Sequence, residues 1–214
     1  MEIPMTAPLT PAQALEELLA GNTRFVSGDV KHPNQDAERR ADLASGQHPF
    51  ATLFGCGDSR LAAEVIFDQG LGDMFVVRTA GHVVESAVLG SLEYAVVELG
   101  TPLVVVLGHD SCGAVTAAKT SLEQGQLPGG YIRNLIEPIL PSVISPELPE
   151  NATVNDMVRE HTRQTSARIL EQSYLIANAI KENKTAVLGM FYRLADGQVE
   201  ILFQSENLKA YSGH

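Results

Sequence analysis

The run Leu103-Val104-Val105-Val106-Leu107-Gly108-His109-Asp110-Ser111-Cys112-Gly113-Ala114 decides how this chain is to be read. Its first five residues are apolar without alternation, which suits a strand buried on both faces of a parallel sheet. Gly108 ends the run, and the helical pattern of Gly113–Gln124 follows almost at once, so the strand feeds a crossover helix. Two other runs, Phe50–Gly55 and Met74–Arg78, have the same length and character, and helical patterns at Leu61–Gln69 and Val84–Leu99 lie between the three. Strands and helices alternating in this way predict an α/β fold built on right-handed crossovers.

The flanks extend the reading. Thr10, Pro11 and Gln13 have the form of an N-cap, a first-turn proline and a capping-box partner, ahead of a stripe of Leu15, Leu18 and Leu19. That helix should stop at Gly28, and a second should run from after Asn34 to before Gly46. Five prolines between 128 and 149 keep any helix there short. One long amphipathic helix is predicted from Thr153 to Lys181. Two closing strands, Thr185–Leu194 and Gln198–Phe203, are joined by the turn signal Ala195-Asp196-Gly197. The expectation is a mainly parallel central sheet of about five strands, the last antiparallel, flanked by helices. A single domain should span residues 1–214, with a helical arm over 1–46 and an α/β core over 47–214.

Composition narrows the function. The chain has 214 residues, 44% hydrophobic and 19% charged, which is ordinary globular composition. A formal net charge of −11, with no local Lys/Arg cluster, repels phosphate backbones and argues against nucleic acid as a partner. No apolar run is long enough to cross a bilayer. The Met1-Glu2-Ile3-Pro4 start has neither a basic n-region nor an apolar h-region, so the expected compartment is the cytoplasm. There the two cysteines, Cys56 and Cys112, stay reduced, and the useful readings are metal ligation and nucleophilic catalysis. The glycine pairs at Gly70/Gly72 and Gly129/Gly130 lack the sequence context of a nucleotide loop.

Each cysteine ends or closely follows a predicted parallel strand, and His109 precedes Cys112 by three positions. Sites in open α/β sheets form beyond the carboxyl ends of strands where the strand order reverses. If the two strands are neighbours there, Cys56, His109 and Cys112 converge as a Cys₂His set. Such a set leaves one corner of a zinc tetrahedron open, the pattern of a catalytic site rather than a closed structural one. Cys56-Gly57-Asp58-Ser59-Arg60 adds a carboxylate and a guanidinium beside the first ligand. Asp58 and Arg60 should pair through the bidentate fork, and Asp58 is near enough to become a fourth ligand when Arg60 releases it. The N–H groups near Gly113, opening a helix, can stabilise an anion.

The spacing C-x-D-S-R, then H-x-x-C-G about fifty residues later, resembles the β-class carbonic anhydrases, and the similarity covers nearly the whole chain. The resemblance implies Zn²⁺ on Cys56, His109 and Cys112, with Asp58 and Arg60 as a catalytic dyad and Asp58 on the metal only in a closed form. It implies reversible hydration of CO₂ to bicarbonate and a proton by zinc-bound hydroxide, with Asp58 orienting the nucleophile. It also implies a homodimer or homotetramer whose N-terminal helices embrace a neighbour. Members that lock shut carry a tryptophan where this chain has Leu53. Members with an open site carry a glutamine matched by Gln47. By the same similarity Phe75 and Tyr94 line the substrate pocket, with Gln47 and Gly113 contacting bicarbonate. Thr79 and His82 depart from the asparagines often found after the second strand. His32, His48, His161 and His214 receive no role. Rival readings are hydrolysis of carbonyl sulfide or carbon disulfide at the same metal, a non-catalytic zinc module with Asp58 permanently ligated, and a redox dithiol.

Overall fold

The computed structural model describes residues 9–208, so His214 lies outside the described residues. Helix α1 (Pro11–Ser27) begins with the expected reciprocal cap, in which Gln13 N–H donates to Thr10 Oγ1 and Gln13 Oε1 accepts from the Thr10 N–H. It ends at Gly28 with φ +80°, the left-handed conformation that glycine adopts without strain. A short helix α2 (Ala37–Asp42) follows.

Five strands form one sheet: β1 (Ala51–Cys56), β2 (Met74–Thr79), β3 (Leu103–His109), β4 (Ala186–Tyr192) and β5 (Val199–Gln204). Their order is β2-β1-β3-β4-β5, with every pairing parallel except the last. All residues of β1, β3 and β4 are buried, as their unbroken apolar character requires. Alternate side chains serve two cores. Leu53, Leu103, Val105, Leu107 and Leu188 pack with Leu15 and Leu18 of α1. Phe54, Val104, Val106 and Val187 pack on the other face with Leu92, Ile169 and Ile176.

The connections are α3 (Ala63–Ile66), α4 (Ser86–Val97) and α5 (Gly113–Gln124), then α6 (Ile132–Ile136), α7 (Leu140–Val143), α8 (Val154–Gln172) and α9 (Tyr174–Lys181). The proline-rich stretch is short and broken, as expected. Two expectations are corrected. The helix predicted over Leu61–Gln69 shrinks to one turn, because Asp68 leaves helical geometry (φ +45°) and anchors the arm. Its carboxylate accepts from Arg24 Nε at 2.5 Å and from the Lys31 and His32 amides. The single long helix predicted from Thr153 to Lys181 breaks at Ser173, whose Oγ accepts from Ile176 N–H and donates to Glu93 Oε1 at 2.7 Å. The break turns α9 onto α4.

Helix α8 crosses β3 at close range. A Cβ at Gly108 would stand 2.1 Å from Thr162 Oγ1, so any larger residue would force the crossing to shift.

Candidate metal centre

Strands β1 and β3 are parallel neighbours, with Gly55 opposite Leu107. The chain goes from β1 outward to β2, then returns past β1 to β3, so the β1–β3 junction is where the winding reverses. Cys56 is the last residue of β1 and His109 the last of β3. A left-handed residue, Ser111 (φ +54°), turns the chain back and seats Cys112 as the N-cap of α5. The Ser111 N–H is tied to Asn155 Oδ1 at 2.9 Å on α8.

The three predicted ligands therefore converge: the Cys56 and Cys112 sulfurs and a His109 ring nitrogen lie within 4.8 Å of one another, all buried. The sulfurs are 4.0 Å apart, within reach of a hydrogen bond and not joined as a disulfide. Two thiolates about 2.3 Å from one zinc ion, at a tetrahedral angle, stand about 3.8 Å apart. His109 Nδ1 lies 2.8 Å from the Asp110 carbonyl, an acceptor only, so Nδ1 carries the ring proton. Nε2 is then a bare lone pair, fully buried and without a hydrogen-bond partner among the described residues. A buried imidazole nitrogen that no protein donor satisfies, facing two soft sulfurs, fits a zinc ion.

The electrostatics agree with that ligand set. Cys56 is held low by its contact with Cys112, against burial, with further help from the Gly81 N–H at 3.3 Å. Cys112 is pushed up by the same Cys56 partner and by burial, and the Ala114 and Val115 amides at the start of α5 act the other way. The free end of α5 thus points its amides at the Cys112 sulfur and favours its ionised form.

Asp58 stands beside the cluster, with Oδ2 4.0 Å from His109 Nε2. Arg60 grips it three times: the side chain donates to Oδ1 at 2.8 Å and Oδ2 at 2.7 Å, and the backbone N–H to Oδ1 at 2.9 Å. Chiefly through the Arg60 side chain, Asp58 is held well below the usual carboxylate range and is ionised at any working pH. Arg78 on β2 steadies the loop, donating to the Cys56 carbonyl at 3.0 Å and the Asp58 carbonyl at 2.6 Å.

The proposed pocket residues are less closely knit. Phe75 and Tyr94 meet each other, ring centroids 6.3 Å apart, with Tyr94 half exposed on α4. Gly113 is exposed at the start of α5 with open space before it. Gln47 is exposed ahead of β1, with no hydrogen bond to a described residue. Thr79 is structural, donating to the Val83 carbonyl. His82 is fully buried, its ring centroid 4.5 Å from that of His161. Arg78, Gly81 and His161 escaped the sequence reading because each reaches the site through a backbone group.

A family model described as carbonic anhydrase matches residues 51–199. Carbonic anhydrase 2 of Mycobacterium tuberculosis is 51% identical over 196 residues, covering 92% of this chain and 93% of that protein. A carbonic anhydrase of Mycolicibacterium smegmatis is 50% identical, covering 89% and 93%. Among solved structures, a tetrameric β-carbonic anhydrase of Sordaria macrospora superposes with a TM-score of 0.68 at 24% identity, over 89% of this chain and 98% of that one. A Coccomyxa β-carbonic anhydrase bound to acetazolamide gives a TM-score of 0.68 at 22% identity, over 96% and 92%. At those identities the structures speak for the fold.

Proposed function

This chain belongs to the β-class carbonic anhydrases, zinc-dependent lyases that hydrate CO₂, and on that premise we propose a division of labour among its residues. Cys56, His109 and Cys112 hold the zinc, and Asp58 with Arg60 forms the catalytic dyad. The observation that carries this reading is the bare, buried Nε2 of His109 facing two sulfurs, with an ionised carboxylate 4.0 Å away. Zinc, when bound, supplies a Lewis acid that brings the acidity of water into the working pH range.

The chain's own groups do the rest. Asp58 accepts a hydrogen bond from the attacking oxygen and so turns a lone pair of that oxygen towards the carbon of CO₂. Arg60 keeps Asp58 ionised and aimed, and its grip favours an open site over one in which Asp58 is itself a ligand. Arg78 positions the loop that carries the dyad. Phe75 and Tyr94 provide apolar surface for CO₂, while Gly113 N–H and Gln47 donate to the oxygens of bicarbonate as charge develops. The chain works as a homodimer or homotetramer, a reading supported by the tetrameric relative of the same fold. No described helix is long and apolar enough to cross a membrane.

Stopped-flow CO₂ hydration on metal-quantified protein tests the proposal between about pH 6.5 and 9. Turnover should scale with zinc content, be present near neutrality and rise with pH. Asp58→Asn should retain zinc and lose most turnover. An Asp58→Asn protein that hydrates CO₂ at the wild-type rate removes the dyad from the mechanism. Activity confined to above about pH 8 would mean that Asp58 closes the site.

A further inference from the structure

We propose that His161 is a positioning residue of the metal centre, acting through Gly81 on the Cys56 sulfur. The proposal rests on the reading above that Cys56 is a zinc ligand. Gly81 lies in the turn that follows β2, with φ +66° and ψ +21°. Its N–H donates to Cys56 Sγ at 3.3 Å, and its carbonyl faces His161 Nε2 at 2.9 Å. The two bonds engage the two peptide planes on either side of one α carbon. Glycine has the widest choice of backbone conformation, and holding both planes removes that choice. The position cannot be stiffened by a side chain instead, since a Cβ there would stand 2.8 Å from Ala114 Cβ and 2.9 Å from Ile139 Cδ1.

His161 is itself held for the task. It is 2% exposed on α8, and burial brings its pKa down to about 4, so the ring is neutral at working pH. A carbonyl only accepts, so the single ring proton is on Nε2, and Nδ1, 3.1 Å from Ser142 Oγ, shares the one hydroxyl proton of that serine with Gln164 Oε1. Ser142 Oγ is also 2.9 Å from Gln164 Oε1, and Gln164 Nε2 donates to Glu160 Oε1 at 2.7 Å. Ser145 Oγ closes the chain by donating to the same Glu160 oxygen. A polar network of five side chains, all buried but the half-buried Gln164, thus ends on one backbone carbonyl. An N–H···S bond draws charge from a thiolate and fixes the direction of its lone pairs, and such outer contacts tune metal affinity and ligand strength. By fixing Gly81, His161 sets how strongly Cys56 donates.

The test compares His161→Gln, whose amide N–H can reach the Gly81 carbonyl, with His161→Asn, which can meet Ser142 but falls short of Gly81. Each is loaded with cobalt(II) to read the thiolate-to-metal charge-transfer band, and separately with zinc for chelator competition. His161→Asn should displace the band and weaken zinc binding roughly tenfold, while His161→Gln stays close to wild type. Indistinguishable spectra and affinities for the two variants would overturn the proposal, whichever value they share. Wild-type protein loaded with ¹¹³Cd gives a reading that needs no variant: the Gly81 amide proton should couple to the metal through its bond to sulfur. Absence of that coupling overturns the proposal as well. Cys56→Ser is the separate check on the ligand reading, for if it leaves the cobalt band intact, Cys56 is not a ligand and the premise itself falls.

Discussion

The buried His161 makes the protein sensitive to acid by a calculable amount. In the unfolded chain this ring takes up a proton near pH 6.5; in the folded chain burial lowers that to about 4, opposed by the Gly81 carbonyl and aided by the charge of Arg168. Between those two values the unfolded state binds a proton that the folded state refuses. The associated stability is therefore complete above pH 6.5 and declines as pH falls towards 4. Integrating for one group with these two pKa values gives about 2 kcal/mol lost between pH 7.5 and pH 5, and about 3 kcal/mol by pH 4. His161→Gln cannot be protonated and keeps the bond to Gly81. Urea unfolding followed by circular dichroism at pH 7.5 and pH 5, at one fixed protein concentration, reads the effect directly. Wild type should lose about 2 kcal/mol more than the variant over that interval. Groups that do not interact with position 161 contribute equally to both proteins and cancel in the difference. Equal losses would refute the assignment of a neutral, buried ring to His161.

Other consequences are as open to measurement. Cys112→Ser should leave no stoichiometric zinc after dialysis, measured by elemental analysis, since only one thiolate and one imidazole remain. Gly108→Ala should lower stability by about 1–3 kcal/mol, because the new methyl drives into Thr162 Oγ1. Adding Thr162→Ala should recover part of that loss in a double-mutant cycle. Asp68→Asn should cost about 1.5–3 kcal/mol by removing the charge that holds Arg24 and two backbone amides. Hydrogen exchange should then quicken at Lys31 and His32.

Much of this architecture was legible because its signals are local. Unbroken apolar runs can pack only as strands covered on both faces, and the Thr10–Gln13 cap and Gly28 stop need no distant partner. The metal cluster was legible because strand ends, residue types and parallel pairing all led to one place. What escaped was decided at long range. Ser173 caps α9 locally through the Ile176 amide, but what turns a serine inside a helical pattern into a break is its bond to Glu93, eighty positions earlier. The shortened α3 answers to an arm that must be tied to Asp68. His161 looked idle because its partner is a peptide carbonyl, and every residue has one of those.

The two halves of the centre are built on parts of the chain with different freedom to open. His109 terminates β3, a strand buried along its full length and paired on both sides. A strand so buried and paired belongs to the part of a protein that opens last. Asp58 and Arg60 lie in a short loop, largely in contact with solvent and steadied by Arg78 from the outermost strand. Excursions of that loop need break only a few hydrogen bonds. Local opening of that loop can thus recur many times within the lifetime of one closed sheet, so the strand that carries His109 stays assembled while the segment that carries Asp58 moves.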